Sequence, residues 1–456
     1  MAVFIYPFRI PFDVSVTVSD FIILTEVLRR SEEIKPTQHA KRMVFEKHGI
    51  LGTSADRKLT AVYYKLMKRL GIIDRIIREI VGVHQNILDP WLRAALRVTV
   101  EFLVFEKKFV KRLDFEKTRK AMSDFLSKST HPYVGMFYFE IFDRIKDYEL
   151  KPKDEIEELE LKYLLPAWYI RKMKELLGDE AEDLFKALNE EPPISVRVNT
   201  LKASVEEVME ELRRLGKRVT RSKVVPTVLK FNGPFDFDRS KLYGKGKFVI
   251  QEEAAALASI LLDPKPGETV VDLCAAPGGK TIHMAELMEN KGIIHAFDVD
   301  ELRIRRMEDL IRRCGVRIVR IYKRDARTAP RVLGTGVADR VMVDAPCTSD
   351  GTLMKNPELR WRIREEKIPD IAELQFQLLK TAIKLAKRGG RILYCTCSMF
   401  KEENEEVVKR ALEDGEVKLV PLEGYYSEGF LKGTIRAFPH RHKTIGFFYA
   451  LLEKVS

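Results

Sequence analysis

The first 150 residues carry apolar positions at intervals of three and four. The stretches 57–70, 73–81 and 90–105 each collect them on one stripe, which predicts amphipathic helices with a single buried face. Asp89 followed by Pro90 reads as an N-cap and a first-turn proline. From 192 onward the period changes. Residues 192–199 alternate as a strand, a helix follows over 204–215, and short strand-like pieces cover 217–225 and 228–231. Beyond 247 the pattern becomes regular. Strand-like runs at 269–274, 293–298, 317–323, 340–345 and 391–397 alternate with helix-like segments. The last of these helices spans 371–387, with Gly389 and Gly390 as its stop. A run at 446–452 predicts one more strand at the sheet's edge.

Strands alternating with helices predict a parallel, doubly wound α/β sheet. In such sheets ligands bind beyond the carboxyl ends of the strands, where strand order reverses. The charged stretch 151–160 marks a boundary, so three domains are expected. They are an all-α domain over 1–150, a small α+β module over 151–246, and the α/β sheet over 247–456.

Charge adds a partner to this outline. The net charge is +12, and it is unevenly spread: about +7 over 1–150, +8 over 211–250 and +10 over 301–400, against about −4 over 151–200 and −6 over 251–300. Basic blocks separated by acidic ones suit a discontinuous phosphate-binding face, hence a nucleic-acid partner. The bland alternative is a solvated surface of a heat-adapted protein. Seven Asn and five Gln against 80 Lys plus Arg fit that composition too. The longest apolar runs fall far short of the roughly 20 residues that span a bilayer, and the N-terminus lacks a basic leader with an apolar core. A cytoplasmic protein with no membrane partner is expected, a monomer by default. Five cysteines without paired CxxC motifs, and eight scattered histidines, predict neither a disulfide framework nor a structural metal.

Each predicted strand of the large sheet ends in a polar or reactive residue. The first leads through Asp272 into Cys274-Ala275-Ala276-Pro277-Gly278-Gly279-Lys280 and a helix. Glycines after a buried strand let backbone approach a ligand, and the helix start adds partial positive charge. The loop matches neither GxGxxG nor GxxxxGK[ST], which disfavours dinucleotide and nucleoside triphosphate readings. Asp298, twenty residues after Gly278, suits the ribose hydroxyls of an adenosine-containing cofactor. Asp325 is placed to accept an adenine amino hydrogen. For a single Asp a helix cap after a strand is the better reading, but the ordered series of acids favours function.

The fourth strand gives Asp344-Ala345-Pro346-Cys347 and the fifth gives Cys395-Thr396-Cys397. A thiolate that adds to carbon 6 of a cytosine turns the ring into an enamine, reactive at carbon 5. An acid near ring nitrogen 3 stabilises the developing charge, a role for Asp344, and a base must later remove the carbon 5 proton. Alternation points Cys395 and Cys397 the same way, with Cys397 nearer the open end. Cys395, Cys314 and Cys274 read as core. A redox role for Cys347 and Cys397 stays open on spacing alone.

These blocks resemble the Fmu/Sun-type (RsmB-like) RNA cytosine-5 methyltransferases. The matching segments are DLCAAPGGKT (272–281), FDVDELR (297–303), RDAR (324–327), DAPCTSDGTL (344–353), NPELRW (356–361), CTCSM (395–399) and EEN (402–404). The resemblance implies a Rossmann-like class I methyltransferase sheet and S-adenosyl-L-methionine as cofactor. It also implies that Cys274 to Lys280, Asp298, Arg303, Asp325 and Asp344 line the cofactor or target-base site. Cys397 is then the nucleophile, and Cys347 assists release of the methylated base. The chain departs from the family in TSDG (348–351) where SGTG is usual, which sets an extra acid, Asp350, near the base. It departs again in Thr444-Ile445-Gly446-Phe447-Phe448 in place of DGFF. The helical region, through Asp56-Arg57, Gly71 to Asp74 and Leu92-Arg93, resembles a NusB-like RNA-binding domain, and the middle segment a small RNA-recognition-like module. Ribosomal RNA is thus expected over transfer RNA. The competing readings are the same fold acting on another substrate such as protein, and a non-catalytic RNA-binding assembly factor.

Overall fold

A computed structural model describes residues 15–456 apart from 35, 36, 234 and 238; the N-terminal residues 1–14, on which the leader expectation falls, lie outside the described residues. Two compact units emerge, one ending at Ala181 and the other running from Glu182 to Ser456.

The first unit is helical. Its longest helix, Ser54–Val81, is a single run of 28 residues where the pattern predicted two. Leu59, Leu66, Ile73, Ile77 and Ile80 are all buried, so the stripe continues through Gly71. That burial outweighs the penalty of about 1 kcal/mol for an interior glycine. Asp89 accepts the N–H groups of Trp91 and Leu92 at 2.8 and 3.1 Å, and the helix Pro90–Val100 runs on into a π turn, Glu101–Phe105. No helix among the described residues is long and apolar enough to cross a membrane.

The second unit opens with a small antiparallel sheet. Its strands are β1 (Ile194–Val198), β2 (Thr220–Arg221), β3 (Val228–Phe231) and β4 (Phe248–Ile250), in the order β2-β3-β1-β4. The predicted strand over 217–225 shrinks to two exposed residues, since an edge with nothing to bury gains little from extension. The helix Val205–Arg214, capped by Ser204, packs Val208 and Leu212 against Val196, Phe231 and Phe248.

The larger sheet contains β5 (Thr269–Asp272), β6 (Ile293–Asp298), β7 (Val319–Lys323), β8 (Ala338–Asp344), β9 (Ala386–Thr396), β10 (Val417–Val420), β11 (Ser427–Glu428), β12 (Ile435–Ala437) and β13 (Phe447–Lys454). The spatial order is β7-β6-β5-β8-β9-β13, continued by β12 and β11, with β10 also paired to β13. β5 to β9 are mutually parallel where they pair, and β13 is antiparallel to β9. The chain winds outward from β5 through β6 to β7, then returns to β8. The reversal therefore falls between β5 and β8, whose last residues are Asp272 and Asp344. One face is sealed by the helix Ile368–Leu385, with Leu379 and Ile383 against Val341, Val343, Ile392 and Tyr394.

Gly389 and Gly390 do not cap that helix. It ends at Leu385, Ala386 is already extended, and both glycines lie within β9. The pairing of β8 with β9 shifts register between Ala338 and Arg340. A Cβ on Gly390 would lie 2.8 Å from the Lys387 carbonyl oxygen and 3.0 Å from that of Ala338, so the bulge itself requires a glycine.

Buried polar groups join the two sheets of this unit. Arg197 on β1 donates to Gln251 Oε1 at 2.5 Å and pairs with Glu286 on the helix Gly279–Leu287. Asn199 donates to the Gly246 and Cys314 carbonyls at 2.8 and 2.9 Å. The small sheet is thereby fixed against the helix that follows the loop 274–280.

Candidate active site

The loop after β5 is held by its neighbours. Leu273 N–H donates to the Met342 carbonyl at 3.1 Å and Ala275 N–H to that of Phe297 at 2.9 Å. Gly278 caps the helix Gly279–Leu287 with φ +101°, and a Cβ there would come within 2.8 Å of Met307 Cγ. Thr281 Oγ1 donates to Asp272 Oδ2 at 2.7 Å. Burial, reinforced by the nearby Asp344, pushes the Asp272 carboxyl up to about 7.

Two cavities flank this loop. The larger, about 590 Å³, brings together Cys274, Asp298, Arg303, Asp325, Asp344, Cys347 and Cys397, with Val299, Leu374 and Leu378 as apolar wall. The smaller, about 210 Å³, is lined by Cys274 to Pro277, Gly279, Lys280, Asp272, Asp344 and Glu252. Cys274 and Asp344 face both, while Gly278 lines neither.

Asp298 is buried, accepting Ala276 N–H and Asp300 N–H at 3.0 Å each. Each carboxylate oxygen keeps a lone pair for a further donor. Arg303 bonds the Ala276 carbonyl and stands 4.0 Å from Asp298, so it braces the loop while also lining the larger cavity. Asp325 is indeed a cap, accepting Arg327 N–H at 2.9 Å, yet it also lines the larger cavity. The hydrogen-bonding Arg327 guanidinium holds its carboxyl below the usual range.

At the mouths of β8 and β9 the remaining motif residues meet. Lys280 Nζ lies 2.7 Å from Asp344 Oδ2 and over the Phe447 ring. Burial opposes its charge, but Asp344 and neighbouring thiols more than offset this and keep the ammonium protonated. Cys395 is buried, its Sγ 3.7 Å from Asp344 Oδ1, and burial pushes its thiol well up. Cys347 Sγ and Cys397 Sγ are 3.3 Å apart. Donation from the Cys347 thiol lowers the Cys397 pKa against the effect of burial; the same bond, with burial, raises Cys347. The contact thus makes Cys397 the more acidic of the two thiols.

The segment after Cys347 packs backbone to backbone on the segment after β9. Gly351 N–H donates to the Cys397 carbonyl at 2.9 Å and Gly446 N–H to that of Gly351 at 2.8 Å. A Cβ on Gly351 would sit 2.4 Å from the Gly446 oxygen and 2.7 Å from the Cys397 oxygen. Gly351→Ala is therefore expected to cost about 1–3 kcal/mol of stability, measured as a lowered urea midpoint with unchanged slope.

Asp350, expected as an extra acid near the base, lines neither cavity: it is fully buried and forms with Glu403 a carboxyl pair that sequence reasoning missed. Asp350 and Glu403 are both fully buried and bond Thr348, Ser398 and Met399. The EEN segment, close behind the CTCSM block, carried the available signal. Lys280 was read as part of the loop, but its partnership with Asp344 was not visible.

An open parallel sheet with a bent loop after its first strand, an acid ending the second and a cavity at the switch point is the architecture of a class I methyltransferase. Residues 259–453 match the family described as 16S rRNA methyltransferase RsmB/F, and 165–238 match the RsmF/B-like ferredoxin-like domain. The chain is 34% identical over 300 residues to the probable ribosomal RNA small subunit methyltransferase B of Synechocystis, covering 64% of this chain and 67% of that protein. It is 35% identical over 296 residues to the Homo sapiens 28S rRNA (cytosine(4447)-C(5))-methyltransferase, covering 60% of this chain and 36% of that one. The crystal structure of the protein PH0851 aligns with a TM-score of 0.89 and 54% identity, over 97% of this chain and all of that one. The chain belongs to the Fmu/Sun-type (RsmB/F) family of RNA cytosine-5 methyltransferases. It is an enzyme that uses S-adenosylmethionine to methylate carbon 5 of cytosine in RNA.

Proposed function

We propose that the chain methylates a cytosine of ribosomal RNA through a covalent adduct on Cys397, acting as a monomer. The observation that carries this reading is the 3.3 Å approach of two sulfurs beside a cavity walled by Asp298, Asp325 and Asp344. The larger cavity suits the cofactor. Its volume is ample for an adenosine with an amino-acid tail, and its carboxylates are acceptors of the kind that ribose hydroxyls and an adenine amine would need. Asp298, Arg303, Asp325 and Cys274 would hold it there. When bound it supplies a methyl group on a sulfonium, electrophilic enough for an activated ring carbon.

The chain's own groups do the rest. Cys397 Sγ, as thiolate, bonds carbon 6 of the base, and the electron pair of the 5,6 double bond moves toward carbon 5. The Lys280 ammonium offsets the negative charge that the addition places on the ring, and Asp344 holds that ammonium in position toward ring nitrogen 3. Once carbon 5 carries the methyl group, its proton leaves to a base. The carbon 6–sulfur bond then breaks, which restores the double bond and the Cys397 thiolate. Cys347 assists this release, since its sulfur touches the leaving one. We assign RNA capture to the helical residues 1–150 and the module 151–246, and chemistry to 247–456.

The names of the matched relatives and the NusB-like segments favour ribosomal over transfer RNA. Bisulfite mapping of total RNA from a strain lacking the gene is expected to show one ribosomal 5-methylcytosine missing. Unchanged ribosomal signals with a vanished transfer-RNA signal would transfer the same chemistry to the other substrate.

A further inference from the structure

The buried carboxyls of Asp350 and Glu403 have no part in the chemistry just described, yet they sit beside it. Asp350 Oδ1 accepts from Met399 N–H at 3.0 Å and lies 3.0 Å from Thr348 Oγ1. Glu403 Oε2 accepts Thr348 N–H at 3.0 Å and a Gln375 amide hydrogen at 2.9 Å. Glu403 Oε1 lies 2.5 Å from Thr348 Oγ1 and 2.7 Å from Ser398 Oγ. Thr348 follows Cys347 directly, and Ser398 follows Cys397 directly. Each carboxyl therefore grips both cysteine segments at once.

Counting hydrogens sharpens this. With both carboxyls ionised, the Thr348 and Ser398 hydroxyls have two hydrogens for four oxygen–oxygen contacts: Thr348 to Asp350, to Glu403 and to Ser398, and Ser398 to Glu403. A proton on Asp350 supplies a third hydrogen to this set and relieves two like charges that are both fully buried. Burial and the facing Glu403 push the Asp350 carboxyl up to about 7, in accord with this count.

We propose that Asp350, acting with Glu403, is a positioning residue that locks the two cysteine segments so that the Cys347 and Cys397 sulfurs stay in contact. The inference deepens the covalent reading above and rests on it for its catalytic consequence. Its geometric core stands without RNA or cofactor. Asparagine at 350 keeps an oxygen acceptor and supplies an N–H in place of the acid proton, whereas alanine deletes the link.

The test has two readouts on the full chain. In the first, diamide oxidises the Cys347 and Cys397 thiols to one disulfide, their two hydrogens passing to its azo bond, and peptide mass spectrometry follows closure over time. In the second, single-turnover methyl transfer is timed with saturating RNA and labelled S-adenosylmethionine. Asp350→Ala is expected to slow disulfide closure about 10-fold and single turnover about 30-fold, with RNA affinity within about twofold. Asp350→Asn is expected to restore both rates to within about threefold of wild type. A role in fold stability alone would lower the melting temperature and the active fraction without changing the rate per active site. Should Asp350→Ala not fold, Thr348→Val removes the shared hydroxyl and is expected to slow closure likewise. Wild-type closure in whichever of these two variants folds overturns the proposal. If closure slows as expected but no sulfur–RNA adduct ever forms in the wild type or in Cys347→Ala, the covalent reading falls while the lock stands.

Discussion

Cys397→Ala is expected to lower methyl transfer to RNA by at least about 10³-fold, with cofactor affinity within about threefold of wild type. Carbon 5 of cytosine is a weak nucleophile, and the carbon 6 adduct is what makes it reactive. Nothing else in the cavity can supply that bond. Cys395 is buried and its thiol is pushed far up, while Cys274 is likewise raised by burial and three nearby carboxylates. Cys347 has its proton held by the sulfur it faces. Alanine at 397 takes away the part of that rise that Cys397 causes, but burial and the Glu403 charge still oppose a thiolate at Cys347. Tritium transfer from labelled S-adenosylmethionine to RNA measures the loss directly. Turnover at the wild-type rate would end the covalent account.

How much of this was legible beforehand depends on how local each feature is. β5, β6 and β8 were found within about two residues, because each is an apolar run closed by an acid that stays polar for the ligand's sake. Their ends drifted where the backbone leaves the ladder; Leu273 still bonds Met342 although β5 stops at Asp272. β9 begins earlier than its apolar run, since Ala386 to Gly390 pair through a bulge that no periodicity announces. β11 and β12, two and three residues long, are shorter than any alternation can reveal. The pattern predicts two helices where Ser54–Val81 is one, since packing of its buried residues on both sides of Gly71 continues the stripe. At the site, the motif residues at strand ends could be placed because topology alone sends those ends to one rim. The Asp350–Glu403 pair could not, for it depends on segments some fifty residues apart closing over each other. A sequence gives an acid on a loop no sign that it will be buried.

Cys347→Ala tests the second half of the cycle. The variant keeps Cys397 and so still forms the carbon 6 bond, but it lacks the sulfur that faces the leaving thiolate. Expected are one methyl group transferred per enzyme, a denaturation-resistant enzyme–RNA complex on gels, and steady-state turnover lowered at least about 10²-fold. The same substitution removes the hydrogen bond that lowers the Cys397 pKa. The Cys397 pKa should therefore rise, leaving less thiolate near neutrality. Adduct formation in Cys347→Ala should then be slower than wild type at pH 7 and climb as pH increases toward the ordinary thiol range, whereas the wild-type rate levels off at lower pH. A Cys347→Ala, Cys397→Ala double variant should form no adduct at any pH. Repeated turnover by Cys347→Ala without a trapped complex would assign release to another group. Asp344 would then be the candidate, as the carboxylate already shared by both cavities.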